Sequence, residues 1–172
     1  MNSIVYNENC IAGMKRYKDK HFNLAIVDPP YNIGGDSLHS NRALKDAGVL
    51  KNRAINKFCT KWDNIPPSKE YFIELMRISV NQIIWGGNYF GQLWTRSEYN
   101  KGFIIWDKNQ PETLNNFSMA EMAWSSLDKP SKIFRYSVRK NKNKIHPTQK
   151  PVELYEWLLR MYANKSDKIL DT

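Results

Sequence analysis

Short apolar runs recur along this 172-residue chain and are separated by longer polar stretches. The clearest run covers residues 24–27, four consecutive apolar positions that predict a strand buried on both faces. Continuous apolar strands of this kind are typical of parallel sheets covered by helices. Further strands are predicted at 4–6, 81–85, 102–108, 120–125, 132–136 and 167–172.

Three other segments carry apolar residues at the three- and four-residue spacing of a helix face. Because these helices alternate with the strands, the pattern predicts an α/β fold with a largely parallel sheet and helices on both faces. The defining residues are Ile11, Met14 and Tyr17 in the first helix, Phe72, Leu75, Met76 and Ser79 in the second, and Tyr155, Leu158, Leu159 and Tyr162 in the third.

The first buried strand ends in the four residues Asp28, Pro29, Pro30 and Tyr31. Proline has no N–H group and a fixed φ, so the pair stops the strand and stiffens the turn. Asp28 and Tyr31 are therefore held at the carboxyl end of a buried strand, where open α/β sheets bind their ligands. A rigid turn without chemistry is the alternative interpretation.

This turn suits a planar ligand that carries an NH2 group. The Asp28 carboxylate and the Pro29 carbonyl are both acceptors, and Tyr31 offers a flat aromatic face. Accepting both amine hydrogens draws the nitrogen lone pair out of conjugation and makes the amine a better nucleophile. The proton can leave after the nitrogen has been alkylated, so no strong general base is needed.

An Asp-Pro-Pro-Tyr sequence after a hydrophobic strand resembles the catalytic motif of the amino-methylating DNA methyltransferases. The resemblance implies a Rossmann-like sheet that transfers a methyl group from S-adenosylmethionine to adenine N6 or cytosine N4, with the target base flipped out of duplex DNA. Asp28 at the first motif position, where serine also occurs, favours adenine. The motif order resembles the permuted class with an amino-terminal catalytic motif, especially small phage-type adenine enzymes of restriction–modification systems.

A second match is the sequence His-Pro-Thr-Gln-Lys-Pro at residues 146–151, which precedes the third predicted helix. In the resembling family this segment surrounds the methionine end of the cofactor. The resemblance therefore implies that His146, Thr148 and Lys150 bind S-adenosylmethionine, with Thr148 and Lys150 supplying a hydroxyl and a cation for its carboxylate. A structural role is the alternative for His146.

The remaining predicted cofactor residues are Asn9, Cys10, Asp28 and Asp171. Asn9 and Cys10 stand where the family reads the adenine edge of the cofactor, and a simple helix N-cap at Asn9 is an alternative of equal weight. In the family, the strand that contains Asp171 leads into a glycine-rich turn. No Gly-x-Gly sequence occurs in this chain, so we expect it to be truncated at its carboxyl end by one βα unit or more.

Basic residues outnumber acidic ones, with 26 Lys and Arg against 17 Asp and Glu, a net charge of +9. This surplus fits a polyanionic partner such as DNA and equally fits a generally basic protein. We expect residues 34–64 to be a mobile basic loop that closes over DNA and residues 135–145 to contact its backbone. Solvated charges without a contact role are the alternative for both segments. The candidate DNA-binding residues are Arg42, Lys45, Arg53, Lys57, Arg139, Lys140 and Lys142.

Several function classes are disfavoured by the remaining features of the sequence. Two cysteines, Cys10 and Cys59, make no disulfide framework, and no His/Cys cluster has ligand spacing, so no metal is expected. No signal peptide and no apolar run of membrane-spanning length is found, which favours a cytoplasmic protein without a membrane partner. Alternation in residues 120–125 places Glu121 and Trp124 in the core more readily than in a pocket.

The whole chain, residues 1–172, is predicted to be a single methyltransferase catalytic domain. Its oligomeric state is open, with a homodimer as one option. Three alternatives to adenine methylation remain. The chain could act on cytosine N4, bind DNA as a non-catalytic or truncated fragment, or methylate RNA or protein.

Overall fold

The computed structural model describes residues 3–31, 65–95, 102–110, 118–137 and 149–172. These residues form six strands, three α-helices and two short 3₁₀ turns. The strands are β1 (Phe22–Val27), β2 (Ser79–Trp85), β3 (Phe103–Asp107), β4 (Ala120–Ser125), β5 (Lys132–Arg135) and β6 (Ile169–Leu170). The helices are α1 (Cys10–Met14), α2 (Lys69–Ile78) and α3 (Val152–Tyr162), and the 3₁₀ turns are Gly87–Tyr89 and Gly91–Leu93.

All six strands belong to one sheet with the order β5-β3-β4-β2-β1-β6. Three of the five neighbouring pairs are parallel (β1 with β2, β1 with β6, and β3 with β5), and the two pairs that contain β4 are antiparallel. The predicted α/β sheet is confirmed, and its direction is mixed because β4 lies between β2 and β3. An antiparallel neighbour needs no crossover helix, whereas a parallel one does.

The core is formed by buried residues of β1–β4 and by the apolar faces of α2 and α3. Residues 24–27 are almost completely buried, as the continuous apolar run predicts. Leu75 and Ile78 of α2 are fully buried, as are Leu154 and Leu158 of α3. Helix α2 begins at the predicted cap, because the Ser68 hydroxyl accepts a hydrogen bond from the Tyr71 N–H at 3.3 Å.

The predicted strand at residues 4–6 is wrong. These residues adopt no regular structure, and the Ile4 and Val5 side chains are 74% and 92% exposed. Three apolar residues alone do not make a strand, because a strand also needs a neighbour for its N–H and C=O groups.

The chain divides into two compact units. The first comprises residues 1–29 and 68–172 and contains the whole sheet. The second comprises residues 30–67, of which the structure describes 30–31 and 65–67. The assignment of residues 1–172 to one catalytic domain stays a prediction.

Candidate active site

Charged and aromatic side chains converge at the carboxyl-terminal edge of the parallel strands. Asp28 directly follows β1, Trp85 ends β2 and Lys108 directly follows β3. Because β4 runs antiparallel to its neighbours, its amino-terminal half lies at the same edge, where Glu121 is opposite Trp106 of β3. Strand directions therefore bring together residues that are far apart in the sequence.

Lys150, two residues before α3, links these groups into a chain of charges. Its Nζ lies 2.5 Å from Asp28 Oδ2 and 3.2 Å from Glu121 Oε2. The Nζ of Lys108 lies 2.8 Å from the other oxygen of the same carboxylate, Glu121 Oε1. Asp28, Lys150, Glu121 and Lys108 thus alternate in charge, and the four groups together are neutral.

The Lys150 ammonium is almost completely removed from water. Its side chain is 2% exposed, and Nζ also lies over the ring of Trp85, 5.2 Å from the centroid. Taking an ammonium out of water is costly unless counter-charges and hydrogen bonds replace the water. The two carboxylates and the negative face of the indole ring supply that replacement.

Glu121 is held as a carboxylate by its two lysine partners. Burial alone would raise its pKa, but the positive charges of Lys150 and Lys108 outweigh this effect and bring the pKa below its ordinary value of 4.5. The side chain is 26% exposed. Glu121 therefore carries a full negative charge at neutral pH, between two ammonium groups.

Two glycines shape the turn that follows Trp85. Gly86 has φ 68° and ψ 20°, in the left-handed region that favours glycine. Its N–H donates to the Met122 carbonyl at 2.9 Å, and the Gly87 carbonyl accepts from Trp94 Nε1 at 2.8 Å. The first bond holds this turn against β4, and the second holds it against Trp94, directly after the next 3₁₀ turn.

A second group of polar side chains lies near the carboxyl ends of β1 and β6. Buried Tyr71 places its hydroxyl 2.7 Å from Thr172 Oγ1. Burial raises the pKa of Tyr71 and of Tyr155, and the Asp28 and Asp171 carboxylates raise both further. Desolvation and the charge of Asp28 also raise the pKa of Asp171. Carboxylates beside aromatic rings make this region favourable for a positively charged ligand.

Asn9 caps the first helix. Its side-chain oxygen accepts hydrogen bonds from the N–H groups of Ile11 and Ala12, at 3.0 and 3.1 Å. The capping interpretation is confirmed, while the role of Asn9 in reading an adenine edge stays a prediction. Cys10 is a free, exposed thiol, and it lies close enough to Tyr71 to act on its pKa.

Other predicted site residues belong to the second unit or lie outside the described residues. Pro30 and Tyr31 belong to the second unit, and their proposed roles stay predictions. Nine others lie outside the described residues, namely His146, Thr148, Arg42, Lys45, Arg53, Lys57, Arg139, Lys140 and Lys142. Their cofactor- and DNA-binding roles also stay predictions.

Sequence reasoning missed part of the site. The expected core position of Glu121 is wrong, because its carboxylate meets Lys108 and Lys150, whereas Trp124 is fully buried as expected. Alternation identifies the face of a strand but not the charged groups that arrive from other strands. A usable signal existed for Lys108, since it directly follows a strand, as Asp28 does.

The described part of the chain contains no group of three or more His, Cys, Asp or Glu side chains that could hold a metal ion. Within the same ranges, every helix is too short or too polar to cross a membrane.

A family model described as DNA methylase, of the N6/N4 methyltransferase type, matches residues 60–172. This is more than half of the chain, and it includes Lys108, Glu121 and Lys150. The chain therefore belongs to the N6/N4 family of DNA methylases.

Two type II methyltransferases are similar over nearly the whole sequence. M2.MboI of Moraxella bovis is 26% identical over an alignment that covers 99% of this chain and 74% of the relative. M.HpaI of Haemophilus parainfluenzae is 25% identical, with 95% of this chain and 60% of the relative covered. Both alignments extend the similarity into the amino-terminal part that contains Asp28.

Solved structures support the fold. The PvuII DNA methyltransferase, which is cytosine-N4-specific, matches 96% of this chain and 72% of its own with a TM-score of 0.55 at 11% identity. TTHA0409 of Thermus thermophilus matches 95% of this chain and 76% of its own with a TM-score of 0.51 at 15% identity. TTHA0409 has also been solved in complex with S-adenosyl-L-methionine.

Proposed function

We propose that this chain methylates the exocyclic N6 amine of adenine in duplex DNA. The observation that carries the proposal is the position of Asp28. It stands at the carboxyl end of buried strand β1, before buried Pro29, with its carboxylate fixed by Lys150. Membership of the N6/N4 DNA methylase family supplies the reaction class.

The cofactor of the proposed reaction is S-adenosylmethionine, which supplies an electrophilic methyl group when bound. The described residues fit such a ligand, because it is a sulfonium cation with ribose hydroxyl groups. Tyr71 and Tyr155 lie near the carboxylates of Asp28 and Asp171, an arrangement that favours a cation beside aromatic rings. Asn9, Cys10 and Asp171 are the described candidates for holding it, and His146 and Thr148 are the candidates outside the described residues.

The chain's own residues prepare the amine for attack. Asp28 and the Pro29 carbonyl accept its two hydrogens, which localises the nitrogen lone pair. A carboxylate has about four lone-pair positions, so Asp28 can accept from the amine and from Lys150 together. Pro30 keeps the turn rigid, and Tyr31 stacks on the flipped base. After methylation the nitrogen is positively charged, and it loses its extra proton to solvent water.

Asp28→Ala tests this assignment. The variant loses the acceptor for the amine, so turnover should fall by about 10²–10³-fold or more, as when one preorganised hydrogen-bonding group is removed from an active site. DNA affinity should stay near that of the unchanged chain, because Asp28 contributes no positive charge. Methylation is followed by transfer of a radiolabelled methyl group, and unchanged turnover would refute the assignment.

Base specificity needs a separate measurement. Asp28 at the first motif position favours adenine, whereas the similarity in fold to a cytosine-N4-specific enzyme keeps cytosine as the second candidate. Digestion of methylated DNA to nucleosides, followed by mass spectrometry, separates N6-methyladenine from N4-methylcytosine. Detection of N4-methylcytosine alone would contradict the proposal for adenine.

Calorimetric titration with S-adenosylmethionine distinguishes an enzyme from a DNA-binding protein without activity. We expect saturable binding to the chain. Retained DNA binding without cofactor binding would favour the non-catalytic alternative. A matched RNA duplex serves as the competing methyl acceptor and tests whether DNA is the substrate.

A further inference from the structure

Lys150 has two competing roles, and its contacts favour one of them. The resemblance to methyltransferases assigns its cation to the carboxylate of the cofactor. In the structure, however, its Nζ is bound to the carboxylate of Asp28 at 2.5 Å and to that of Glu121 at 3.2 Å. Asp28 directly follows β1, and Glu121 lies on β4, so both partners are held by the sheet.

We propose that Lys150 is a positioning residue that orients the Asp28 carboxylate, and that Glu121 acts through Lys150 by holding its ammonium in place. This inference rests on the proposed methyltransferase function. The resemblance implies that Lys150 binds the carboxylate of the cofactor, whereas here its proposed partner is the Asp28 side chain of this protein.

The location of the ammonium favours this role. Burying an ammonium at 2% side-chain exposure is costly unless counter-charges replace the water around it, and the ring face of Trp85 is a further fixed contact. If Lys150 moved away from Asp28 to bind the carboxylate of the cofactor, the charge of Asp28 would lose its partner. A second negative charge would also be brought close to it. The site would then carry more negative than positive charge around one ammonium.

The geometry at Asp28 favours the same role. A carboxylate at a strand end can rotate about its side-chain torsions, and rotation would misdirect the lone pairs that must accept from the amine. An ammonium bound to Oδ2 fixes one oxygen and thereby the plane of the group. A misplacement of about 1 Å in a reacting group can reduce turnover by about 100-fold.

The two lysines at Glu121 differ in what they contact. Lys108 shares Glu121 and lies over the ring of Trp106, 5.5 Å from its centroid. Its ammonium pairs with Oε1 of Glu121, whereas that of Lys150 pairs with Oε2. Lys108 therefore anchors Glu121, and Lys150 connects Glu121 to Asp28.

The kinetic test compares Lys150→Met with Lys15→Met. Lys15 forms an ion pair with Glu70 in which both side chains are more than half exposed, so it is a matched control for loss of an ammonium. We expect Lys150→Met to lower kcat by about 100-fold and to change the dissociation constant for S-adenosylmethionine by less than about threefold. Lys15→Met should change neither quantity. Lys150→Arg should restore part of kcat, because it keeps the charge.

The opposite pattern overturns the proposal. If Lys150→Met keeps kcat at saturating cofactor but weakens S-adenosylmethionine binding more than tenfold by calorimetry, Lys150 serves the cofactor carboxylate. Glu121→Gln gives an independent check, because it keeps the shape of the side chain. It should lower kcat without weakening cofactor binding, and an unchanged kcat would remove Glu121 from the mechanism.

A mutant cycle read by thermal melting tests the contacts of Lys150 with Asp28 and Glu121 independently of enzymatic activity. Removing Lys150 takes one counter-charge away from both the Asp28 and the Glu121 carboxylates, so Lys150→Met should lower Tm on the order of 5–10 °C. The same substitution should lower Tm by less than half as much in the Asp28→Asn, Glu121→Gln background. Equal losses in both backgrounds would refute the coupling. A chain that shows the coupling but methylates no DNA would contradict the proposed function while retaining the Lys150 contact.

Discussion

Replacing Gly87 with alanine should destabilise the protein by a steric clash that no side chain can relieve. A Cβ at Gly87 would lie 2.4 Å from the Cβ of Trp124, 2.7 Å from its N and 3.0 Å from its Cα. Trp124 is fully buried and is paired on both sides, with Ile84 of β2 and Phe103 of β3. The turn after β2 must therefore move away from β4.

The size of the effect follows from that displacement. Ordinary carbon contacts begin near 3.4 Å, so the turn has to shift by about 1 Å, and this movement disturbs the hydrogen bond from Trp94 to the Gly87 carbonyl. Overpacking costs typically about 1–3 kcal/mol, and we expect the upper part of this range because the contacted atoms are backbone and Cβ. For a domain of this size, a loss of about 2–3 kcal/mol lowers Tm by roughly 4–12 °C.

Gly91→Ala is the matched control, four residues further along the chain. A Cβ at Gly91 has no atom within 4 Å. Alanine there should leave the free energy of unfolding unchanged or raise it by up to about 1 kcal/mol, because the unfolded chain loses freedom. Thermal melting followed by circular dichroism measures both variants. A Gly87→Ala melting temperature within about 2 °C of the control would refute the steric reasoning.

Two further changes probe the core and the charged site. Leu158→Ala in α3 should lower the free energy of unfolding by about 2–5 kcal/mol, because the side chain is fully buried. Leu159→Ala, at 36% exposure, should change it by less than about 1 kcal/mol. Urea titrations measure both variants, and similar losses would contradict the described packing of α3. For Glu121, whose folded-state pKa is lowered, the stabilisation is present above pH 4.5 and is lost as pH falls through the folded value. Glu121→Gln should therefore lower the free energy of unfolding by about 1.5–3 kcal/mol at pH 7 and by less at pH 3.5. Thermal melting at both pH values measures this, and a difference in Tm that does not change with pH would argue against the two lysine contacts.

Local sequence patterns were sufficient for the strand end at the site and for part of the packed face of α3. Four consecutive apolar residues and two prolines are enough to predict a buried strand that stops at Asp28, and the structure contains that strand end. The helical spacing likewise predicts the burial of Leu158 in α3, whereas Leu159, predicted on the same face, is exposed. Burial periodicity and proline geometry depend on neighbours within a few positions, so they can be recognised without a fold.

Which charges meet at the site depends on the tertiary structure. Lys150 binds Asp28 across 122 positions of sequence, and Glu121 reaches the same ammonium because β4 runs antiparallel beside β3. The resemblance predicts that Lys150 binds the cofactor, and the alternation of apolar and polar residues in β4 predicts that Glu121 lies in the core. Ion pairs between distant segments depend on strand order, direction and register, because these set the distances between charges, and the local pattern of residues specifies none of the three.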